Sequence, residues 1–331
     1  MTSAEGHGRP RTERDVRVTP CDSAGVGPVF DVVGIGANSV DYVYQLPAYP
    51  ERDGPNAKMR ISSHSLSCGG QVATALCTCT AMGLRTKYIG ATGTDDNGRR
   101  LRDELARRDV DMTDAVIRDV TNQFAVIMVD QQAGERIVLW DRNEGLALRP
   151  RELPPEILTA ARVVHVDDVD QDAAIRAALI ARDAGVMVTS DIDRLTPRTE
   201  ELVSAVTMPI FAEHVPKALT GEADFGRALR SLRRLNAGRL CVTLGPRGAV
   251  LLDGDRLYQE PAFQIEAVDT TGAGDVFRGA MIVALLRGDG PADMLRFANA
   301  AAGASCTRLG AINGVPTLKE TLQLMQQTVV R

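Results

Sequence analysis

The residues best suited to chemistry lie together near the C-terminus, in Val268-Asp269-Thr270-Thr271-Gly272-Ala273-Gly274-Asp275-Val276-Phe277. Two glycines flank an alanine, and a carboxylate then opens a long apolar run that reads as a helix, Gly274 to Arg287. Small residues let a ligand approach the backbone, and the first N–H groups of a helix have no partner within it. With the helix dipole behind them, those groups form an anion site. Phosphoryl transfer spreads negative charge over the transferred oxygens, and preorganised N–H donors stabilise it. Asp275, in the first turn, stands where a carboxylate can take the proton of an attacking hydroxyl. The same residue also fits a plain first-turn carboxylate, and local sequence does not separate the two roles. No Gly-x-x-x-x-Gly-Lys-Ser/Thr occurs, so the phosphate grip is not a P-loop.

A loop of this kind needs a scaffold that presents helix N-termini along one edge. The chain alternates strand-like runs at Val29–Gly36, Thr86–Ala91, Val163–Val166, Val186–Ser190, Pro209–Phe211 and Leu240–Leu244 with helix-like stretches. Those stretches are Gln71–Met82, Asn97–Arg108, Asp172–Ala184, Thr196–Val206, Asp224–Asn236, Gly274–Arg287, Pro291–Thr307 and Leu318–Val330. Such alternation predicts right-handed βαβ units and a mostly parallel sheet between two helical layers. Phe124–Val129 and Arg136–Trp140, around the turn 130–134, read instead as a hairpin set apart from that sheet. Ligands of open α/β sheets bind at the carboxyl ends of the strands, which makes the loops after strands the ones to read.

Length and composition agree with one large α/β domain. The chain has 331 residues, 44% hydrophobic and 24% charged, and a formal charge of −5. No basic clustering marks a nucleic-acid surface, and the longest apolar runs are too short to cross a bilayer. The first 28 residues are polar, carry no apolar block and read as a disordered tail before the domain 29–331. Cys21, Cys68, Cys77, Cys79, Cys241 and Cys306 show no paired spacing and read as reduced, mostly buried thiols in a cytoplasm.

Asp-Thr-Thr-Gly-Ala-Gly-Asp at 269–275 closely resembles the signature of the ribokinase-like (PfkB) carbohydrate kinases. Further segments follow in the order of that family. Gly36 to Asp41 is similar to its first strand and substrate-holding aspartate, and Cys68 to Ala75 to its paired-glycine sugar motif. Gly90 to Gly98 resembles the next segment, and Thr243 to Gly248 the loop that contacts ATP. The resemblance implies a three-layer ribokinase-like fold with a small β lid formed by about 47–66 and 123–140. It implies Mg-ATP as donor and a sugar or similar alcohol as acceptor.

By the same resemblance Gly272, Ala273 and Gly274 form the anion hole and Asp275 is the base. Asn38, Asp41, Gly69, Gly70, Gln71 and Thr74 hold substrate. Thr243, Gly245, Pro246, Gly248 and Asn299 hold ATP. Asp269, Thr271, Ser305, Arg308 and Gly310 match the positions around an activating monovalent cation such as potassium, most of them through backbone carbonyls. A homodimer through the lid is left open, as are two other readings: a nucleoside kinase of this fold, which an aromatic-lined lid would favour, and a catalytically weak ligand-binding or regulatory member.

The pattern departs from the family at its Asn-x-x-Glu motif, which helps organise magnesium. Ala212 and Val215 occupy those two positions, and neither can coordinate the metal or its waters. Glu213 is the substitute that the sequence offers, though it also fits a cap on the short helix after it. Gln71 and Thr74 replace common family residues yet can still hydrogen-bond a polyol. A dinucleotide fingerprint at Gly34–Ser39 lacks its third glycine, and Pro47, Pro50 and Pro55 interrupt the required βαβ unit. His165 to Asp170 sits at a strand end and reads as structural or substrate-rim rather than as a metal cluster. Arg136 and Arg142 would matter for a substrate that already carries an anionic group.

Overall fold

The computed structural model describes residues 29–131 and 136–326. The expected tail lies outside the described residues, as do 132–134 of the expected turn, residue 135 and everything after Gln326. In chain order the strands are β1 (Val32–Ile35), β2 (Ser39–Leu46), β3 (Ser63–Gly69), β4 (Thr86–Ile89), β5 (Ala91–Gly93), β6 (Val110–Asp111), β7 (Val116–Arg118) and β8 (Phe124–Asp130). They continue as β9 (Arg136–Asp141), β10 (Val163–Val166), β11 (Met187–Ile192), β12 (Met208–Phe211), β13 (Leu240–Thr243), β14 (Ala249–Asp253) and β15 (Arg256–Glu260). The helices are α1 (Gln71–Ala81), α2 (Asp96–Arg107), α3 (Pro155–Thr159), α4 (Gln171–Asp183), α5 (Thr199–Ala205) and α6 (His214–Thr220). After them come α7 (Phe225–Leu232), α8 (Ala273–Arg287), α9 (Pro291–Ser305), α10 (Ala311–Gly314) and α11 (Leu318–Met325).

Nine strands form the main sheet, in the order β15-β14-β13-β12-β11-β10-β1-β4-β6. It is parallel except where β14 and β15 close one edge as an antiparallel hairpin. Successive residues feed opposite cores, as a sheet covered on both faces requires. Val32 and Val163 pack with α1, α8 and α9, whereas Val33 and Val164 pack with α4, α5 and α7. Each fully buried valine of this kind contributes about 1.5–3 kcal/mol of transfer free energy. The chain order reverses at β1, which lies between β4 and β10, so the crevice beyond the carboxyl end of β1 is the predicted binding site.

A separate four-stranded sheet, β3-β2-β8-β9, rises from that crevice. Its first strand departs from expectation. Ser39–Leu46 forms β2 and pairs along β3, while 47–62 is a connection whose regular structure is one 3₁₀ turn at Pro55–Ala57. The prolines at 47, 50 and 55 lack the N–H groups a strand ladder needs. The alternating Ser-Val-Asp-Tyr-Val-Tyr-Gln-Leu has them all. The second pair, β8 and β9, lies where the sequence predicts it.

Candidate active site

The crossover from β1 to β2 carries the first site residues over the crevice. Asp167, at the end of β10, spans the switch point: its Oδ2 accepts from the Ala37 N–H at 2.6 Å and its Oδ1 from the Val169 N–H at 3.0 Å. Asn38 is buried and engaged on every side. It donates to the Tyr88 hydroxyl and the Ala91 carbonyl, both at 2.7 Å, and accepts from Asn122 at 3.0 Å. It therefore holds the crossover in place and presents little free hydrogen-bonding capacity to a ligand. Asp41 is buried at the root of β2 and accepts from the Ser39 hydroxyl at 2.8 Å. Loss of water, reinforced by the charge of Asp269, pushes its carboxyl up to about 6 despite the bond from Ser39.

Gly69 ends β3 and Gly70 caps α1, so the chain turns from sheet to helix beside Asp41. Gln71 opens α1 half-buried. Thr74 is fully buried beneath the 269–275 loop, and its hydroxyl has no hydrogen-bond partner.

That loop is built as the sequence predicts. Gly272, with φ 76°, is the left-handed N-cap of α8, a conformation that disfavours any side chain. A Cβ there would also meet the Ala311 Cβ at 2.5 Å. Ala273, Gly274 and Asp275 form the first turn of α8, whose N–H groups are free of helical partners. Asp269 ties the loop down: Oδ1 accepts from the Thr271 N–H and Oδ2 from the Gly310 N–H, both at 2.8 Å. Ser305 bonds back to the Ala302 carbonyl at 2.8 Å, and the Arg308 guanidinium pairs with Glu320. The five expected cation positions thus converge on one seam between the loop and the end of α9.

Asp275 faces Asp41, Asp167 and Asp193, with Arg278 one turn along its own helix. Removal of water pushes its carboxyl up to about 7; Arg278 opposes the rise and the three carboxylates add to it. A group poised near neutrality is what a general base requires.

Of the expected nucleotide residues, Gly248 and Asn299 meet at the end of β15. Gly245–Arg247, with Pro246 in its first turn, forms a 3₁₀ turn after β13. Thr243 donates to the Phe211 carbonyl at 3.3 Å. Gly248 closes the turn at φ 89°, so close to the end of β15 that a Cβ would fall 2.0 Å from the Glu260 carbonyl oxygen. Asn299, on α9, donates to the Glu260 and Pro261 carbonyls at 2.9 and 3.1 Å and fixes that strand end. The Glu213 carboxylate makes no cap bond to α6 and instead pairs with Arg247 in this turn. Val215, at the expected glutamate position, is fully buried in the α4–α7 core, which explains its apolar character.

The small sheet brings Arg136 and Trp140 to the crevice, beside Arg194, which sequence reading passed over. Directly paired residues share a face. Asp41 pairs with Ala125, which pairs with Trp140, and Arg136 pairs with Val129 two registers along. Asp41, Trp140 and Arg136 therefore look the same way, toward the crevice. Arg136 donates to the Thr270 hydroxyl at 2.7 Å, and Trp140 lies 6.0 Å from the Arg194 guanidinium. Arg194 is held in turn by buried Asp168, which accepts from the Asp193 and Arg194 N–H groups at 2.7 and 2.5 Å. Arg142 is committed elsewhere, to Asp170 at 2.8 Å. Within His165 to Asp170, the carboxylates of Asp167, Asp168 and Asp170 accept from the backbone N–H groups of Ala37, Asp193 and Leu148, and among the described residues no group of three or more His, Cys, Asp or Glu side chains could hold a metal ion. The cysteines at 68, 77, 79, 241 and 306 are free and buried, and Cys21 lies outside the described residues. No helix among the described residues is long and apolar enough to cross a membrane.

Comparison with known proteins agrees with this geometry. The pfkB family carbohydrate kinase model matches residues 36–318. Fructokinase-1 of Zea mays is 28% identical over 286 residues, 78% of this chain and 88% of the relative. Ribokinase of Haemophilus influenzae is 25% identical over 301 residues, 88% and 97% of the two chains. Among solved structures, Arabidopsis thaliana ribokinase complexed with ribose and ATP superposes with a TM-score of 0.77 at 24% identity, covering 90% of this chain and 99% of that one.

Proposed function

The chain belongs to the pfkB family of carbohydrate kinases, and from that premise we propose that it transfers the γ-phosphoryl group of ATP to a hydroxyl of a sugar, with Asp275 as general base. The observation that carries this reading is the pairing of a carboxyl poised near neutrality with the N–H groups that open its own helix, where the Ala273 N–H turns back to the Thr270 carbonyl at 3.3 Å and those of Gly274 and Asp275 have no partner within the helix. Asp41 orients the acceptor by accepting hydrogen bonds from its hydroxyls. Asp275 takes the proton of the attacking hydroxyl as the new O–P bond forms. The backbone N–H groups of 272–274 receive the charge that builds on the transferred oxygens.

The turn at 245–248 is the cradle for the ATP phosphates and ribose. Magnesium bound with ATP at this turn would neutralise phosphate charge and would need few protein ligands. The Arg247–Glu213 pair places one carboxylate at that turn as a candidate ligand to its waters. A monovalent cation fits the seam at Asp269, Thr271, Ser305, Arg308 and Gly310, because each Asp269 oxygen keeps a lone pair beyond its backbone bond. The small sheet acts as a lid, and its closure excludes water, a competing acceptor.

A sugar acceptor is favoured over a nucleoside by the lid's faces. Tyr42, Tyr44 and Phe124 alternate onto the face away from Asp41, where Tyr42 and Phe124 meet edge to face at 6.2 Å. Of the lid's Tyr, Phe and Trp residues in strands, Trp140 alone shares the face of Asp41. The test is ADP release with Mg-ATP, with and without potassium, across sugars, sugar acids, sugar phosphates and nucleosides, with Asp275→Asn alongside. Sugar-dependent turnover that vanishes in the variant supports the reading. Turnover with nucleosides alone replaces the acceptor class, and ATP binding without turnover on any acceptor favours a ligand-binding role.

A further inference from the structure

Behind the first turn of α8 lies a buried ion pair that this reading does not use. Arg278 is almost fully buried, and its Nη2 stands 2.7 Å from Oδ1 of Asp191, itself buried on β11. The guanidinium curls back along its helix. An ideal Cβ at Gly274 would fall 2.7 Å from Nη1, so the guanidinium occupies the space that a side chain at 274 would fill. Gly274 immediately precedes Asp275, and Arg278 follows it by three residues, on the same helical face. The Nε of Arg278 is buried without a hydrogen-bond partner. A buried guanidinium with an unsatisfied donor is costly for stability, and two well-packed apolar residues would cost less.

We propose that Arg278, anchored by Asp191, is a positioning residue for the base: it braces the first turn of α8 against the sheet and supplies the positive charge that keeps the Asp275 carboxylate ready to accept a proton. Three carboxylates bear on Asp275, Asp41 from β2, Asp167 from the end of β10 and Asp193 from the loop after β11, while Arg136 of the small sheet reaches the same loop at Thr270. Arg278 is the cation that bears most on Asp275 against them. Asp191 competes for the same guanidinium, and burial together with its acidic neighbours raises its carboxyl well above the usual range. His165, on β10, is pushed down to about 3 by burial and by Arg278 and is neutral there, so it adds no charge of its own. The guanidinium pairs with Asp191 and lies against the first turn of α8, with Gly274 leaving room for it.

The inference rests on the assignment of Asp275 as the base, and its test has a readout that does not need turnover. In protein labelled with carbon-13 at aspartate side-chain carboxyls, the Asp275 resonance is identified by its loss in Asp275→Asn and followed against pH. Arg278→Met is expected to raise its midpoint by about one pH unit or more, as loss of an adjacent opposite charge does. Arg278→Lys, which keeps the charge, is expected to stay close to the parent. Should the methionine variant not fold, Arg278→Gln keeps a polar side chain near Asp191 without the charge and takes its place. The acid limb of kcat/KM is expected to move in the same direction. Equal midpoints in the parent and the uncharged variant, with folding confirmed by circular dichroism, would overturn the proposal. A shifted resonance in a protein that turns over no acceptor would sustain it while refuting the kinase reading.

Discussion

Gly69 and the Asp41 carboxylate are in such close contact that a Cβ at position 69 would fall 2.5 Å from Asp41 Oδ2. The end of β3 therefore acts as a wall that sets where the carboxylate proposed to orient the substrate points. Gly69→Ala is expected to displace Asp41 and lower kcat/KM for the sugar by about 10- to 100-fold, the usual cost of misplacing a positioning group. ATP affinity, measured by calorimetry, should stay unchanged, because the nucleotide turn is built from other elements.

Asp275→Asn keeps the shape of the first helical turn and removes the base. It should lower kcat by about 10²- to 10⁴-fold with little change in the affinity for ATP. Steady-state kinetics beside a binding isotherm checks both halves.

Activity and stability should respond to pH with opposite signs. A base must be ionised to work, so kcat/KM should rise with pH through the value near 7 to which burial pushes Asp275. It should fall further below about 6, where Asp41 also takes up a proton. Stability runs the other way. Asp41, Asp167 and Asp275 are held above their ordinary value of 3.8, at about 6, 8 and 7, so the folded state binds protons more readily than the unfolded one. Their contribution is full below the unfolded value and is lost as pH rises through the folded ones. The thermal midpoint should therefore climb as pH falls from 8 to 6, a trend that differential scanning calorimetry can follow.

Gly248→Ala combines an unfavourable φ with a clash against backbone. The Glu260 carbonyl cannot move aside like a side chain, since Asn299 also holds it. A loss of about 1–3 kcal/mol of stability is expected, with weakened ATP binding, and denaturant unfolding beside calorimetry measures it.

Much of this architecture was legible before folding was considered. The alternation of apolar runs predicts the parallel sheet, and the small residues at 272–274 before Asp275 predict a helix start open to an anion. What escaped sequence reading had mixed causes. The hairpin of β14 and β15 carries a visible signal in Asp253-Gly254-Asp255, between the apolar run Ala249–Leu252 and the mixed run Arg256–Glu260. Strand β2 alternates plainly, but its start is also the Gly36–Asp41 motif, and a reading aimed at that motif placed the lid strand too late. The depth of Thr74 had no local sign, because a threonine near a helix start looks the same whether it faces a ligand or the underside of a loop.

Local sequence determines what is local: strand and helix periods, the turn that only Gly272 can make, and the chemical types at 41, 269 and 275. Those follow from backbone sterics and from hydrophobic spacing along a few residues. The tertiary structure alone decides which distant groups share a space. Arg278 and Asp191 lie 87 positions apart in the chain, and no pattern around either marks the pair. Only when α8 packs across β11 do they meet, out of water, where a single charge bears strongly on the carboxyl beside it.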